Sequence, residues 1–382
     1  MRRSILFVVA VLLVCSVAMP AAGQDESTPA LRLKALKAER LAALPQAAAA
    51  AKGVKTVVVD CAKKNSSISD ALAKNSGPLV IEIHGICKEN VLIERNDLTL
   101  RGADPARDGI QGVTANPQPA ALKLSYANRI LLENMFVADS PDIGVAAWFS
   151  TLEMRNCRIA NNGSNGIHIT ASSGLTGTEL VVSQNAGAGI NSQRGGYVTC
   201  LGCRLENNMS FAATSRLGGF MTLWDTVVSY AGISADGAGS YVDVDCVNVD
   251  SNYPCSVNGE GRAASASNGG VANLLGVGSF RGRVLATEGG TVGVYGGQQT
   301  VPLPDVYPNS VSIFGRLETG VAEYGGPTTT LGRTRLGTFA QALLENATVL
   351  SSTLVCNSGA DAWSDTPYPA TQVSGCANVP TY

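Results

Sequence analysis

Short alternating segments of apolar and polar residues begin at Val54 and continue to about residue 300. Segments such as TVVVD, LVIEIHGIC and DLTLRG have the two-residue alternation of half-buried strands, and turn residues separate them. The helical signal in this region is Ser67-Ile-Ser-Asp-Ala-Leu, which predicts a short helix from Ser67 to Asn75. The pattern therefore predicts many short strands and very little helix.

The strands recur with an internal period. Asn162, Asn185 and Asn208 lie 23 residues apart, and a Gly-Ile pair begins four residues after each of the first two. Three strands of four or five residues, joined by three turns, account for one such repeat, and successive coils stack about 4.8 Å apart. Asparagine suits a turn because it tolerates the left-handed backbone conformation and its amide can bond to the next copy. We therefore predict a solenoid of parallel strands in which these asparagines serve the architecture.

The repeated Asn-turn-Gly-Ile coils resemble the right-handed parallel β-helix superfamily of pectate-lyase-like proteins. The resemblance extends over roughly residues 54–320 and includes an N-terminal cap helix. It implies an all-β fold, a single-stranded right-handed parallel β-helix solenoid with coils of about 23 residues. That superfamily contains lyases, hydrolases, esterases, epimerases and surface proteins, so the resemblance implies a fold far more narrowly than an activity.

The segments outside this region have other roles. Residues 1–23 carry two arginines, an apolar core and small residues at the end, which is typical of a secretory signal peptide. Residues 24–53 are polar and then Ala-rich, and could form a linker, a short helical oligomerisation arm or a cap. Residues 321–382 are expected to cap the last coil, with a brief helix from Phe339 to Asn346. No segment after the signal reaches the ~20 apolar residues of a membrane span, so a secreted or periplasmic protein is expected.

Nine cysteines follow the signal segment, and an oxidising compartment favours disulfides between them. The pairs that lie near each other in the sequence are Cys61–Cys87, Cys246–Cys255 and Cys356–Cys376, the last stapling the C-terminal segment. Cys200 and Cys203 could form a further disulfide, whereas a zinc site there would need a second pair at metal-binding spacing. Cys157 is left over and is predicted to be a buried free thiol.

The amino-acid composition and net charge exclude one class of binding partner. The chain has 42 glycines, 15% charged residues and a net charge of −2. Nucleic acids attract proteins with a strong positive charge, so they are excluded as the main partner. Abundant small and turn-forming residues with few charges fit a chain that turns at every few residues and packs against its own copies.

Alternation also predicts which side chains point outward from the first strand of each coil. Six coils present, in order, Leu131, Glu133, Glu153, Arg155, Thr176, Thr178, Thr199, Leu201, Thr222, Trp224, Asp243 and Asp245. A polar strip with an aromatic side chain suits a polysaccharide, and candidate substrate-binding residues are Glu153, Arg155, Thr199, Thr222 and Trp224. Asp243 and Asp245 are about 7 Å apart on an extended strand, so they could serve as catalytic acid and base or bind calcium. Ordinary solvation of an exposed strand would explain the same residues without any function.

A second outward strip follows each asparagine turn. It comprises His168, Thr170, Asn191, Gln193, Thr214, Arg216, Ser234 and Asp236. A lyase acting on a uronic acid needs a base for the C5 proton and a cation or amides for the carboxylate. His168 and Arg216 are therefore candidate catalytic residues, and Asn191 and Gln193 are candidate substrate-binding residues. Polar residues on an exposed strand can also be present for solubility alone.

Two classes of function remain open. The first is a secreted enzyme acting on polysaccharide, a lyase or hydrolase of acidic glycans, with calcium as the candidate cofactor. The second is a non-catalytic β-helix that serves in adhesion, at a surface or in glycan binding. The signature motifs of polygalacturonases, pectin methylesterases and mannuronan epimerases are absent from the sequence. An ice-binding threonine array is disfavoured because Leu201 and Trp224 interrupt it.

Overall fold

The structure is a computed structural model. It describes residues 54–114, 119–246, 255–296, 298–299, 309–312 and 316–320, followed by the backbone of seven further strands between residues 329 and 374. Among these residues, no helix is long and apolar enough to cross a membrane.

The chain winds into a right-handed parallel solenoid with three faces, as predicted. The first face is a fourteen-stranded parallel sheet that contains the first strand of each coil. Its strands are Lys55–Asp60, Leu79–His84, Leu98–Gly102, Ile130–Glu133, Thr151–Arg155, Gly174–Thr178, Tyr197–Leu201, Phe220–Trp224, Tyr241–Asp245, Val271–Leu275, Thr291–Tyr295, Arg316–Gly320, Gln341–Leu344 and Asp361–Ser364.

The second sheet bends around the other two faces and has 23 strands. The second face comprises Ile86–Lys88, Gly109–Gln111, Phe136–Ala138, Arg158–Ala160, Val181–Ser183, Arg204–Glu206, Val227–Tyr230, Gln298–Gln299, Thr329–Leu331 and Ala347–Val349. The third face comprises Val91–Ile93, Ala120–Ser125, Ile143–Trp148, Ile167–Thr170, Ile190–Gln193, Ala213–Arg216, Ile233–Asp236, Asn309–Ser312, Thr334–Leu336, Leu354–Cys356 and Val373–Ser374. Two long strands pass from the second face to the third, Ser256–Ser267 and Ser279–Thr287.

The core is a stack of identical inward positions. On the first face, Leu152 lies beside Leu175, which lies beside Val198, each from a successive coil. These side chains and their inward partners two residues later are buried, so the predicted inward and outward alternation is confirmed. Each coil thus buries its apolar residues against the same positions of its neighbours.

The asparagine ladder is buried and continuous. The Asn162 Nδ2 group donates to Asn185 Oδ1 at 2.8 Å, and Asn185 Nδ2 donates to Asn208 Oδ1 at 2.9 Å. The architectural role is therefore confirmed, but the left-handed backbone falls one residue earlier than expected. The residues with φ between 54° and 58° are Asn161, Gln184 and Asn207.

A short helix, α1, covers the N-terminal end of the core. It spans Ile68–Lys74, and the Ser67 side chain caps it by accepting from the Asp70 amide at 3.0 Å. The Glu89 carboxylate accepts from the Ile68 amide at 2.7 Å and from the Ser69 amide at 3.1 Å. The fully buried Ile68 is thereby held over the first apolar coil.

The cysteine predictions can be compared with the structure where side chains are described. Cys61–Cys87 and Cys246–Cys255 are disulfides, and Cys200–Cys203 is a third, so a zinc site at that pair is ruled out. Cys157 is a buried free thiol, and burial raises its pKa to about 12. The predicted Cys356–Cys376 pair lies outside the residues whose side chains are described.

The predicted helix at 339–346 is wrong. Gln341–Leu344 is a strand that pairs in parallel with Arg316–Gly320, and Asp361–Ser364 pairs with it in turn. Pairing with the preceding coil overrides the local helix propensity of Gln-Ala-Leu-Leu. The strand ladder thus continues beyond residue 320, while the boundaries proposed at residues 23, 53 and 320 remain predictions.

Candidate functional site

The third face carries a groove of about 510 Å³ along the solenoid axis. Its floor is one outward position repeated in register through four coils, as Asn191, Thr214, Ser234 and Ser265. Although these side chains point away from the core, each is no more than 8% exposed. They are sheltered because the groove has two walls.

The walls come from the residues on either side of this strand position. One wall is formed by the turn that enters the third face, with Ser210, Phe211 and Arg262. The other is formed by the end of the same strands, with Arg216 and Asp236. The result is a channel with a neutral hydroxyl and amide floor and charged rims.

The floor has hydrogen-bonding capacity left for a ligand. Ser265 Oγ donates to Ser234 Oγ at 3.1 Å, which keeps one of these hydroxyls within the protein. The buried Oδ1 atom of Asn191 has no hydrogen-bond partner within the described residues. Buried polar atoms are nearly always satisfied, so an unpaired acceptor in the floor of a groove points to a missing partner.

His168 lies one coil before Asn191 at the same floor position. Its Nδ1 atom is 3.1 Å from Asn191 Nδ2, and its Nε2 atom is 3.0 Å from Gln193 Nε2. A neutral imidazole has one donor and one acceptor nitrogen. The Nδ2 groups of Asn191 and Asn165 both face Nδ1, so Nδ1 is the acceptor, and Gln193 presents its oxygen to the protonated Nε2. Burial and the charge of Arg194 lower the pKa of His168, with Asp142 opposing, so the ring is neutral near pH 7.

The two rim arginines differ in their partners. Arg216 forms an ion pair with Asp236 at 3.2 Å. Hydrogen bonds from Asn268 and Ser267, together with Arg216, hold the pKa of Asp236 below its ordinary value. The Arg262 guanidinium lies 5.9 Å from the centroid of the Phe211 ring, and no carboxylate pairs with it among the described residues. Arg262 is thus the rim cation available to an anionic ligand.

The first face presents the other predicted strip. Thr199, Thr222 and Asp243 occupy one outward position in successive coils. Asp243 is only 7% exposed, and its Oδ2 atom accepts from the Tyr241 hydroxyl at 3.3 Å. Burial and the Asp243 charge raise the pKa of Tyr241 to about 12, so the hydroxyl remains a donor.

The other predicted residues of the first face have different neighbours. Arg155 and Glu153 pair with each other, with Arg155 Nε donating to Glu153 Oε1 at 2.6 Å. Trp224 lies beside Asp245 in the strand register. No group of three or more His, Cys, Asp or Glu side chains in the described part of the chain is placed to hold a metal ion. Asp243 and Asp245 are thus not joined by a third carboxylate in a calcium-binding group.

The structure separates the predicted catalytic residues into two sets. Asp243 and Asp245 lie on the first face, whereas His168 and Arg216 lie on the third. His168 is two coils from Arg216, about 10 Å along the axis, and four coils from Ser265, about 19 Å along the axis. No one sugar residue could contact them all.

Sequence reasoning missed Arg262 and Ser265 because the coil register is irregular there. The strand Ser256–Ser267 contains register shifts between Asn258 and Arg262 and between Arg262 and Ala264. The alternation Ala264-Ser265-Ala266-Ser267 places Ser265 and Ser267 at the outward positions of the next coil, so it could have extended the second outward strip by one coil.

A family model supports the fold, and solved structures with low similarity scores also match the chain. The family model described as "Right handed beta helix region" matches residues 64–252. The A-module of the mannuronan C-5 epimerase AlgE4 from Azotobacter vinelandii is 11% identical with a TM-score of 0.40, covering 76% of this chain and 93% of that one. The pectin methylesterase PemA from Erwinia chrysanthemi is 12% identical with a TM-score of 0.27, covering 84% and 90%. These scores are too low to transfer a site, and no curated protein matches the sequence.

Proposed function

Since this chain is a right-handed parallel β-helix protein, we propose that it binds an acidic polysaccharide in the groove of its third face. The observation that carries the proposal is the in-register floor of Asn191, Thr214, Ser234 and Ser265, with Arg262 on its rim as a cation that has no ion pair in the described part of the chain. The oxidised disulfides are compatible with an exported protein, and export is part of the proposal.

The floor supports binding of a chain rather than of a small molecule. Each coil adds one hydroxyl or amide side chain at the same position, about 4.8 Å from the previous one. Sugar hydroxyls both donate and accept hydrogen bonds, as do serine, threonine and asparagine side chains. A polymer lying along the axis would therefore meet the same chemistry in each successive coil.

Arg262 supports an acidic polymer over a neutral one. A guanidinium matches a carboxylate through two parallel hydrogen bonds, and Arg262 forms no ion pair among the described residues. Arg216 is less available because Asp236 already neutralises it. We therefore assign recognition of the uronate or other acidic group to Arg262.

The groove favours binding over catalysis. Asp236 is held as an anion by its three partners, and Arg216 is engaged in the ion pair with Asp236, so neither is placed to move a proton. His168 is a neutral base, but amides hold both of its nitrogens. The Arg262 guanidinium lies over Phe211, whose coil is two coils further along the axis, about 10 Å away. The lyase and hydrolase hypotheses are kept as outcomes of the test.

The test measures binding and turnover in the same samples. Calorimetric titration with polygalacturonate, alginate and a neutral glucan should show binding of the acidic polymers only, weakening as salt is added. Arg262→Ala should lose most of this affinity. Arg158→Ala removes an exposed arginine of the second face and should leave it unchanged.

Two further readouts separate the alternatives. Ultraviolet absorbance of an unsaturated product would reveal a lyase, and new reducing ends without that absorbance would reveal a hydrolase. Equal binding of the neutral glucan, or full affinity in Arg262→Ala, would refute the proposed acidic groove.

A further inference from the structure

A second cavity, of about 270 Å³, opens beside the groove at the turn between the second and third faces. We call it the notch. Its floor is Ala231 and Gly232, and it shares Ser210, Phe211 and Arg262 with the groove. The notch is therefore a side opening of the groove.

The notch exists because one turn is shorter than its neighbour. Glu206 pairs with Ser229 and Ala213 pairs with Ile233, so six residues in one coil face three in the next. The shorter turn is recessed between the turn of Asn207–Ala212 and the irregular segment that ends at Arg262. Gly232 permits this, because a Cβ there would overlap the carbonyl oxygens of Arg262 and Ala263.

Tyr230 breaks the repeat at the edge of the notch. It has a φ of 74°, the left-handed position that Asn207 and Gln184 occupy in the two preceding coils. An aromatic residue is strained in this conformation, whereas asparagine adopts it readily. Tyr230 is nevertheless 45% exposed, so it does not fill the core. The turn thus presents an exposed aromatic side chain at the edge of the notch.

The lining suits a single sugar ring. Tyr230, Phe211 and Met209 supply apolar surface, and Met209 is 72% exposed. Glu260 and Arg262 supply a carboxylate and a guanidinium on the opposite wall, which can bond to hydroxyl groups. The volume lies just below the lower limit of roughly 300 Å³ for drug-sized pockets. One monosaccharide therefore fits better than an oligosaccharide.

We propose that the notch binds a sugar branch of the acidic polysaccharide whose backbone lies in the groove. This inference rests on the proposed function, since Arg262 stands at the junction and would contact both parts. A linear polymer would pass the notch without entering it. The notch thus makes the protein selective for a branched acidic glycan over its linear counterpart.

The test compares two oligosaccharides that differ only in one neutral branch sugar. The wild-type protein should bind the branched one several-fold more tightly. Tyr230→Asn introduces a residue suited to the left-handed turn, so the variant should fold with an equal or higher Tm. It should nevertheless bind both ligands with the affinity that the wild-type protein has for the linear one. Tyr197→Asn, a matched change of an exposed tyrosine on the first face, should keep the preference.

The outcomes distinguish the two proposals. Binding of the linear ligand without any preference for the branch, or a preserved preference in Tyr230→Asn, would overturn the notch and leave the groove intact. If neither oligosaccharide binds, the proposed groove fails. The notch is then tested alone by titrating the protein with a methyl pyranoside and recording the NMR resonances of the Tyr230 ring. A shift of those resonances would support it, and unchanged resonances would overturn it.

Discussion

At the scale of single residues, Asn185 shows how a side chain replaces a missing backbone partner. Its Oδ1 atom accepts from both the amide and the Nδ2 group of Asn162, and the residue is fully buried. Asn185→Ala would leave two buried donors unsatisfied, so we expect a loss of about 2–5 kcal/mol in the free energy of unfolding. Urea denaturation would measure it. Asn258→Ala, on the exposed surface of the second face, should change it by less than about 0.5 kcal/mol, and equal effects would contradict the ladder's role.

His168 predicts a pH dependence at the same scale. Its pKa is lowered in the folded protein, so below about pH 6.5 the unfolded chain takes up a proton that the folded state resists. The contribution of neutral, buried His168 to the free energy of unfolding is therefore complete above that pH and is lost as the pH falls. His168→Gln should show a smaller drop in Tm than wild type between about pH 7.5 and about pH 5. Parallel Tm curves for the two proteins would show that burial does not govern this group.

At the scale of elements, regular coils could be predicted from sequence and irregular ones could not. The alternation at Leu152 and Leu175 predicts burial because every coil repeats one packing environment. The groove and notch depend on departures from that repeat, at Tyr230 and in the bulged strand before Ala264. The turn that is three residues shorter leaves a clear gap in the sequence period. Its consequence, a recess between two longer turns, appears only when three coils are stacked.

The cap helix is the element with the weakest local support, because seven residues are too few to form a stable helix alone. Glu89 holds it by accepting from two amides of the first turn and from the Ser69 hydroxyl. We expect Glu89→Ala to cost about 1–2 kcal/mol and to speed amide exchange in residues 68–74. Glu94→Ala, at an exposed position, should change neither. Unchanged exchange in Glu89→Ala would mean that packing of Ile68 alone holds the helix.

At the scale of the whole molecule, three faces built from one repeat differ in shape. On the first face Phe220 and Tyr241 stack with centroids 4.9 Å apart, and the third face carries the groove between two walls. A polymer in this groove gains contacts on both sides. The predicted carboxylates of the first face are as little exposed as the groove floor, so burial does not separate the two faces, but the groove also has on its rim the Arg262 guanidinium, which forms no ion pair among the described residues. Shape and charge therefore favour the third face over the first as the polysaccharide surface.

Two neighbouring strands allow this choice between faces to be tested with a single type of substitution. Thr214 and Thr222 are eight residues apart, on consecutive strands of the third and first faces, and both point outward. Thr214→Trp should fill the groove and abolish polysaccharide binding, whereas Thr222→Trp adds an aromatic side chain to the first face and should leave the affinity unchanged. Circular dichroism would confirm that both variants keep the β fold. Loss of binding in Thr222→Trp alone would transfer the site to the strip that contains Trp224, Asp243 and Asp245.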